Sequence, residues 1–122
     1  MKKLINHDET IFIAGGVGMV GKAVNKVLIN AGYGSKNSKG KIFAPSRKEL
    51  DLSDYSALEK WFNINRPSVV IIAAAKVGGI QANLTFPFEF LLENLKIELN
   101  LIELSKLYKV KRLLFLGSSC IY

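Results

Sequence analysis

Ile11-Phe12-Ile13-Ala14-Gly15-Gly16-Val17-Gly18-Met19-Val20-Gly21 joins an apolar run to a glycine-rich turn. Ile11 to Ala14 has no polar interruption and reads as a strand buried on both faces, as in a parallel sheet. Glycines then punctuate a turn, and an apolar-periodic segment from Met19 to Ala31 reads as a helix stopped by Gly32. Strand, glycine turn and helix in that order give a dinucleotide fingerprint its physical content. The spacing is Gly15-x-x-Gly18-x-x-Gly21 with Gly16 as an extra, not the simpler G-x-G-x-x-G. Gly15 lets the chain turn off the strand. Gly18 lets the backbone approach a pyrophosphate, and Gly21 lets the helix pack on the first strand. The anion would rest on the unpaired N–H groups that open the helix, at Met19 and Val20. A tight strand-to-helix turn that binds nothing is the competing reading, and the order of elements favours the nucleotide.

Outward from that stretch the alternation continues. Gly32 to Gly40 is a polar, glycine-rich loop, and Lys41 to Ala44 is a short second strand. Asp54 to Asn63 suits a helix capped by Ser53 or Asp54, with Leu58, Trp61 and Phe62 on one face. Ser68 to Ala75 reads as a central strand, followed by the loop Lys76 to Ile80. A long helix is expected from Phe86 or Phe88 to Tyr108, with Leu91, Leu92, Leu95, Leu99, Ile102 and Leu107 as a broad apolar face. Arg112 to Leu116 reads as a fourth buried strand. The expected class is α/β: a Rossmann-type, doubly wound parallel sheet with right-handed crossovers, strands ordered three-two-one-four and truncated after the fourth. Residues 1–122 then form the N-terminal part of one NAD(P)-binding domain. The loops after Ala14, Ala44, Ala75 and Leu116 fall together at the carboxyl ends of the strands, where such folds bind ligands.

Composition narrows the function classes. A 49% apolar and 22% charged chain of 122 residues is globular rather than disordered. One cysteine, Cys120, excludes an internal disulfide and points to a reducing compartment. No segment reads as a signal peptide or reaches bilayer length, so a cytoplasmic location without membrane association is expected. The net charge of +7 is spread over the chain, with only a loose cluster at Lys36, Lys39 and Lys41. That pattern argues against a nucleic-acid partner and suits a multiply phosphorylated nucleotide.

Four groups of residues could carry chemistry. No acid stands at Ala44, Pro45 or Ser46 to accept from an adenine ribose, and Arg47 follows at once. An arginine grips a phosphate through two N–H groups, which favours NADP(H) over NAD; a solvated surface arginine is the alternative. Asp51 and Leu52 are placed to meet the adenine edge, unless Asp51 is only a loop or cap residue. Gly117-Ser118-Ser119-Cys120 closes a strand, where a hydroxyl could reach a substrate carbonyl, although such serines also serve turns. Cys120 could be an acid/base group or inert filling. His7 reads as a surface residue without a role.

The segments Gly15–Gly21, Arg47–Leu52, Ala73-Ala74-Ala75-Lys76-Val77-Gly78-Gly79-Ile80 and Leu116-Gly117-Ser118-Ser119-Cys120-Ile121-Tyr122 together resemble the GDP-L-fucose synthase family of extended short-chain dehydrogenase/reductases. The glycine turn is common to the superfamily; the last two segments are far more specific. The resemblance implies epimerisation of GDP-4-keto-6-deoxy-D-mannose at C3 and C5, then reduction of the 4-ketone by NADPH to GDP-L-fucose. It implies that Ser118 holds the 4-keto oxygen and that Cys120 moves protons at the epimerised carbons. It places Gly15, Gly16, Val17, Gly18, Met19, Val20, Gly21, Arg47, Asp51, Leu52, Ala74, Leu116, Gly117 and Ser119 along the cofactor. Lys76, Val77, Gly78 and Gly79 would line the substrate pocket. Gly16-Val17 stands where the family has a His-Arg pair whose arginine helps bind the NADP phosphate, leaving Arg47 to carry that contact. The family's Tyr-x-x-x-Lys pair, its histidine and its substrate domain lie beyond Tyr122, so the chain alone is expected to be inactive; the full-length enzyme is expected to be a homodimer. Another nucleotide-sugar epimerase or dehydratase is the alternative enzyme reading. A non-catalytic dinucleotide-binding module is the alternative from a different class.

Overall fold

Thr10–Ala14 forms the first strand, β1, and Ile11, Phe12 and Ile13 are fully buried in it. The computed structural model describes residues 5–37, 39–73 and 87–116. After β1 come α1 (Met19–Asn30), β2 (Lys41–Phe43), α2 (Tyr55–Asn65), β3 (Val69–Ile72), α3 (Pro87–Leu107) and β4 (Arg112–Phe115). Every ladder among the described residues is parallel. Ala14 is level with Ile72, and Ile72 with Phe115, so β1, β3 and β4 end on one rim.

The strand order is β2-β1-β3-β4, which corrects the expected three-two-one-four. Two observations give the reason. All four residues of β3 are buried, which demands a neighbour on each side, whereas β2 is three residues long and partly exposed, as suits an edge. Crossover handedness supplies the rest. The chain steps from β1 to β2 in one direction and then back across β1 to β3, and a reversal of direction moves a right-handed crossover helix to the opposite face. Val24 and Leu28 of α1 pack with Ile11, Ile13, Val69 and Ile71. Leu58 and Phe62 of α2 and Ile97, Leu101 and Leu104 of α3 pack with Phe12, Ala14, Val70 and Ile72 on the other side. The sheet is therefore doubly wound, and its order reverses between β1 and β3.

Local signals set the helix ends. The Asp54 carboxylate accepts from the Ala57 N–H at 3.2 Å and caps α2, one of the two residues expected to do so. Past α1, Gly32 adopts φ +93° and the chain turns away. His7, read as roleless, is half-buried: its ring stacks on Tyr33 with centroids 4.3 Å apart, and Nε2 donates to the Ala31 carbonyl at 2.9 Å.

Two burial expectations fail. The sequence predicts a buried β4, yet Leu113, Leu114 and Phe115 are exposed; its ladder partner among the described residues is β3 alone, so it is an edge of the described sheet. The apolar face expected for the long helix points outward: Leu91, Leu92, Leu95, Leu99, Ile102 and Leu107 are all exposed, and Ile97, Leu101 and Leu104 are the residues that enter the core. At 100° per residue these two sets lie on opposite sides of the helix. A helix apolar on both sides has two faces to cover, and periodicity alone did not say which meets the sheet.

Candidate dinucleotide-binding site

The reversal between β1 and β3 opens a crevice at the strands' carboxyl ends, the place where open α/β sheets bind ligands. The Ala73 N–H donates to the Ala14 carbonyl at 2.8 Å, so β1 and β3 remain paired up to the rim from which the glycine turn departs. Gly15 has φ +86°, the left-handed region that only glycine enters cheaply. A Cβ on Gly21 would lie 2.6 Å from the Gly16 Cα and closer still to the Gly15 carbonyl oxygen, so α1 can sit this near the strand only with glycine there. Gly16 packs against Ala44, which brings the loop after β2 alongside the glycine turn.

Gly18 differs from these. Its φ of −74° suits any residue, and an added Cβ would meet nothing nearer than the Gly15 carbonyl oxygen at 3.4 Å, an ordinary contact. Packing within the fold therefore does not require glycine at Gly18. It is the N-cap residue of α1 and makes no side-chain cap bond; Val17, Gly18, Met19 and Val20 are all exposed around the helix opening. An exposed helix start with a bare backbone is the shape that a diphosphate fits.

The loop after β2 is built around Arg47. The Ser46 N–H donates to Glu49 Oε1 at 3.0 Å, and the Glu49 N–H donates to Ser46 Oγ at 3.3 Å. This reciprocal Ser-x-x-Glu capping box closes one turn with Arg47 at its start. The signal for it, Ser46-Arg47-Lys48-Glu49, stands in the sequence with the Ser-x-x-Glu spacing. The Ser46 backbone and hydroxyl hold the Glu49 carboxyl below the ordinary carboxylate range. Asp51 Oδ1 accepts from the Ser53 hydroxyl at 2.6 Å and from the Ser53 N–H at 3.0 Å. Those bonds, with the Arg47 charge, lower its pKa as well. Leu52 is buried in the core, while Asn100 of α3 donates to its carbonyl at 3.0 Å.

Arg47 is 60% exposed and pairs through Nη2 with Glu93 of α3, a partner that no local sequence pattern announces. A cavity of about 340 Å³ opens beside the same loop, lined by Phe43, Ala44, Pro45, Glu49, Leu50 and Trp61. Among the described residues no group of His, Cys, Asp or Glu could hold a metal.

Of the site residues expected from sequence, the structure brings together Gly15 to Gly21 and the Arg47 loop. Leu116 donates its N–H to the Ile72 carbonyl at 3.0 Å, on the same rim as the glycine turn. Ala74, Lys76, Val77, Gly78, Gly79, Gly117, Ser118, Ser119 and Cys120 lie outside the described residues.

Comparison with known proteins agrees with this geometry. The model of the NAD dependent epimerase/dehydratase family matches residues 11–122. The chain belongs to that family. GDP-L-fucose synthase 1 of Arabidopsis thaliana is 44% identical over 122 residues, covering 100% of this chain and 36% of the plant protein. GDP-L-fucose synthase of Escherichia coli is 43% identical over 114 residues, covering 93% of this chain and 34% of the bacterial one. Among solved family structures, GDP-mannoheptose C4 reductase of Campylobacter jejuni with NADP bound superposes with a TM-score of 0.84 at 34% identity, covering 97% of this chain and 35% of that one. The chain thus spans about a third of the length of these relatives.

Proposed function

We propose that this chain is the N-terminal part of the NADP(H)-binding domain of a GDP-L-fucose synthase. The observation that carries the reading is Gly18: the fold leaves room for a side chain there, so the bare backbone serves something outside the fold. The amides of Met19 and Val20 hold the diphosphate, which the bare Gly18 backbone lets approach, and Arg47 holds the adenosine 2′-phosphate. Asp51 lies at the adenine end, while the Leu52 side chain is taken up by the core beneath it. Ala74, Leu116, Gly117 and Ser119 follow the cofactor toward its nicotinamide.

When bound, NADPH supplies the hydride that reduces a ketone. The chain's own residues prepare that ketone. The Ser118 hydroxyl donates to the 4-keto oxygen, where negative charge grows during both enolisation and reduction. The ketone acidifies the C–H bonds beside it, and the Cys120 thiol exchanges protons at the epimerised carbons. Lys76, Val77, Gly78 and Gly79 line the pocket of the GDP-sugar. Ser118 and Cys120 follow β4, whose carboxyl end shares the rim with the glycine turn, and this supports their assignment.

The partner is a nucleotide sugar, GDP-4-keto-6-deoxy-D-mannose, and not a nucleic acid. The whole enzyme is a cytoplasmic homodimer; no described helix is long and apolar enough to cross a membrane. The outward stripe of α3, from Phe88 to Ile102, supports the dimer. The test is incubation of the whole protein with that substrate and NADPH in deuterated water. NADPH consumption with deuterium at C3 and C5 of the product is expected. Consumption only with other GDP-4-keto sugars would overturn the choice of sugar, and no consumption with any would overturn the enzyme reading.

A further inference from the structure

Arg47 does not wait for its ligand in open solvent: it is paired with Glu93, a carboxylate on a different element from the loop that carries the arginine. Resting on the NADP reading above, we infer that Glu93 is the counter-ion that Arg47 gives up on binding NADP, and that this exchange tempers the preference for NADP over NAD that Arg47 supplies. The capping box fixes the backbone on both sides of Arg47, so its long side chain is the mobile part. Glu93 sits in the second turn of α3 and is more enclosed than the arginine. Asp51 adds a second negative charge within electrostatic reach of Arg47.

A phosphomonoester carries about −1.5 to −2 charges and three acceptor oxygens, against one charge on Glu93. It can draw the guanidinium across, whereas a ribose 2′-hydroxyl offers no charge and leaves Arg47 on Glu93. The Glu93 charge stays beside the incoming dianion. Glu93 therefore opposes NADP twice, through competition for Arg47 and through repulsion, and it leaves NAD nearly untouched.

The test measures Kd for NADPH and NADH by fluorescence titration on the unmodified protein, Glu93→Gln, Glu93→Lys, Arg47→Ala and the Arg47→Ala/Glu93→Gln double variant. An exposed ion pair of this kind is worth little, so Glu93→Gln should tighten NADPH binding about two- to fivefold, with Glu93→Lys tightening it further. NADH binding should stay unchanged, and Glu93→Gln should have little effect once Arg47 is absent. A residue that only stabilised the loop would move both cofactors in the same direction. Unchanged or weaker NADPH binding in Glu93→Gln and Glu93→Lys overturns the exchange while leaving the NADP reading intact, provided the unmodified protein binds NADPH. Absence of binding by the unmodified protein overturns both.

Discussion

Alanine at Gly18 and at Gly21 should damage different properties, although the two positions are three residues apart in one turn. At Gly21 the new methyl would lie 2.7 Å from the Gly15 carbonyl carbon and closer to its oxygen, all backbone that cannot swing aside. Overpacking of this kind costs about 1–3 kcal/mol, and the helix-propensity gain of alanine over glycine returns about 1 kcal/mol at most. Gly21→Ala should therefore lower stability, by up to about 2 kcal/mol once the propensity gain is taken off. At Gly18 the methyl meets only ordinary contact at 3.4 Å and φ is already −74°. Stability should change by less than about 1 kcal/mol, the scale of an N-cap exchange. The same methyl would stand between the helix N–H groups and a diphosphate. Pushing the anion out of reach of even one charge-assisted hydrogen bond forfeits about 1.5–3 kcal/mol, or roughly 10- to 100-fold in affinity. Urea unfolding and NADPH titration on both variants make the assay. Gly18→Ala with full stability and undiminished NADPH binding would refute the reasoning, because glycine would then have no ligand to serve at that position.

Core and surface leucines of α3 should separate as well. Leu101→Ala should cost about 2–5 kcal/mol in chemical denaturation because Leu101 is fully buried; Leu99→Gln, on the outward face, should leave the protomer's stability within about 0.5 kcal/mol. Lysine at both Leu95 and Leu99 should shift the whole protein toward monomer in sedimentation, and an unchanged dimer would remove α3 from the interface. Asp54→Ala should cost about 1 kcal/mol through the lost cap. Glu49 and Asp51 have carboxyl pKa values lowered in the folded state, so their contribution is complete above the unfolded value of about 4 and is lost as pH falls through the folded values. The Ser46 and Ser53 amide resonances, monitored from pH 6 downward, should move at a lower pH in the folded protein than in an unstructured peptide of the same segment.

Much of this fold stands in the sequence because the elements carry strong local signals. Ile11 to Ala14 and the glycines after it place β1, the turn and α1 correctly. Asp54 caps the helix that its position announced. Strand order was harder to read because it depends on which strands have two neighbours, yet a clue was present. Val69 to Ile72 offers no polar residue to an edge, and Lys41 to Phe43 is too short and polar for a centre. The orientation of α3 was not legible, since both of its sides are apolar and burial is decided by the sheet beneath. In the site, the glycine turn and Arg47 were readable from local pattern, and the Ser46–Glu49 box could have been. Glu93 could not, because an ion pair between residues 46 positions apart leaves no spacing rule to find.

On the proposed reading, the opening of α1 holds the cofactor's diphosphate, with Arg47 on its 2′-phosphate. Backbone amide shifts during NADP titration, followed by a structure of the complex, test it most directly. The expected result is that the largest shifts fall on Gly15 to Gly21, with the Arg47 guanidinium moved from Glu93 onto phosphate. Shifts confined to the rim where the strands begin, with Arg47 still on Glu93, would contradict it.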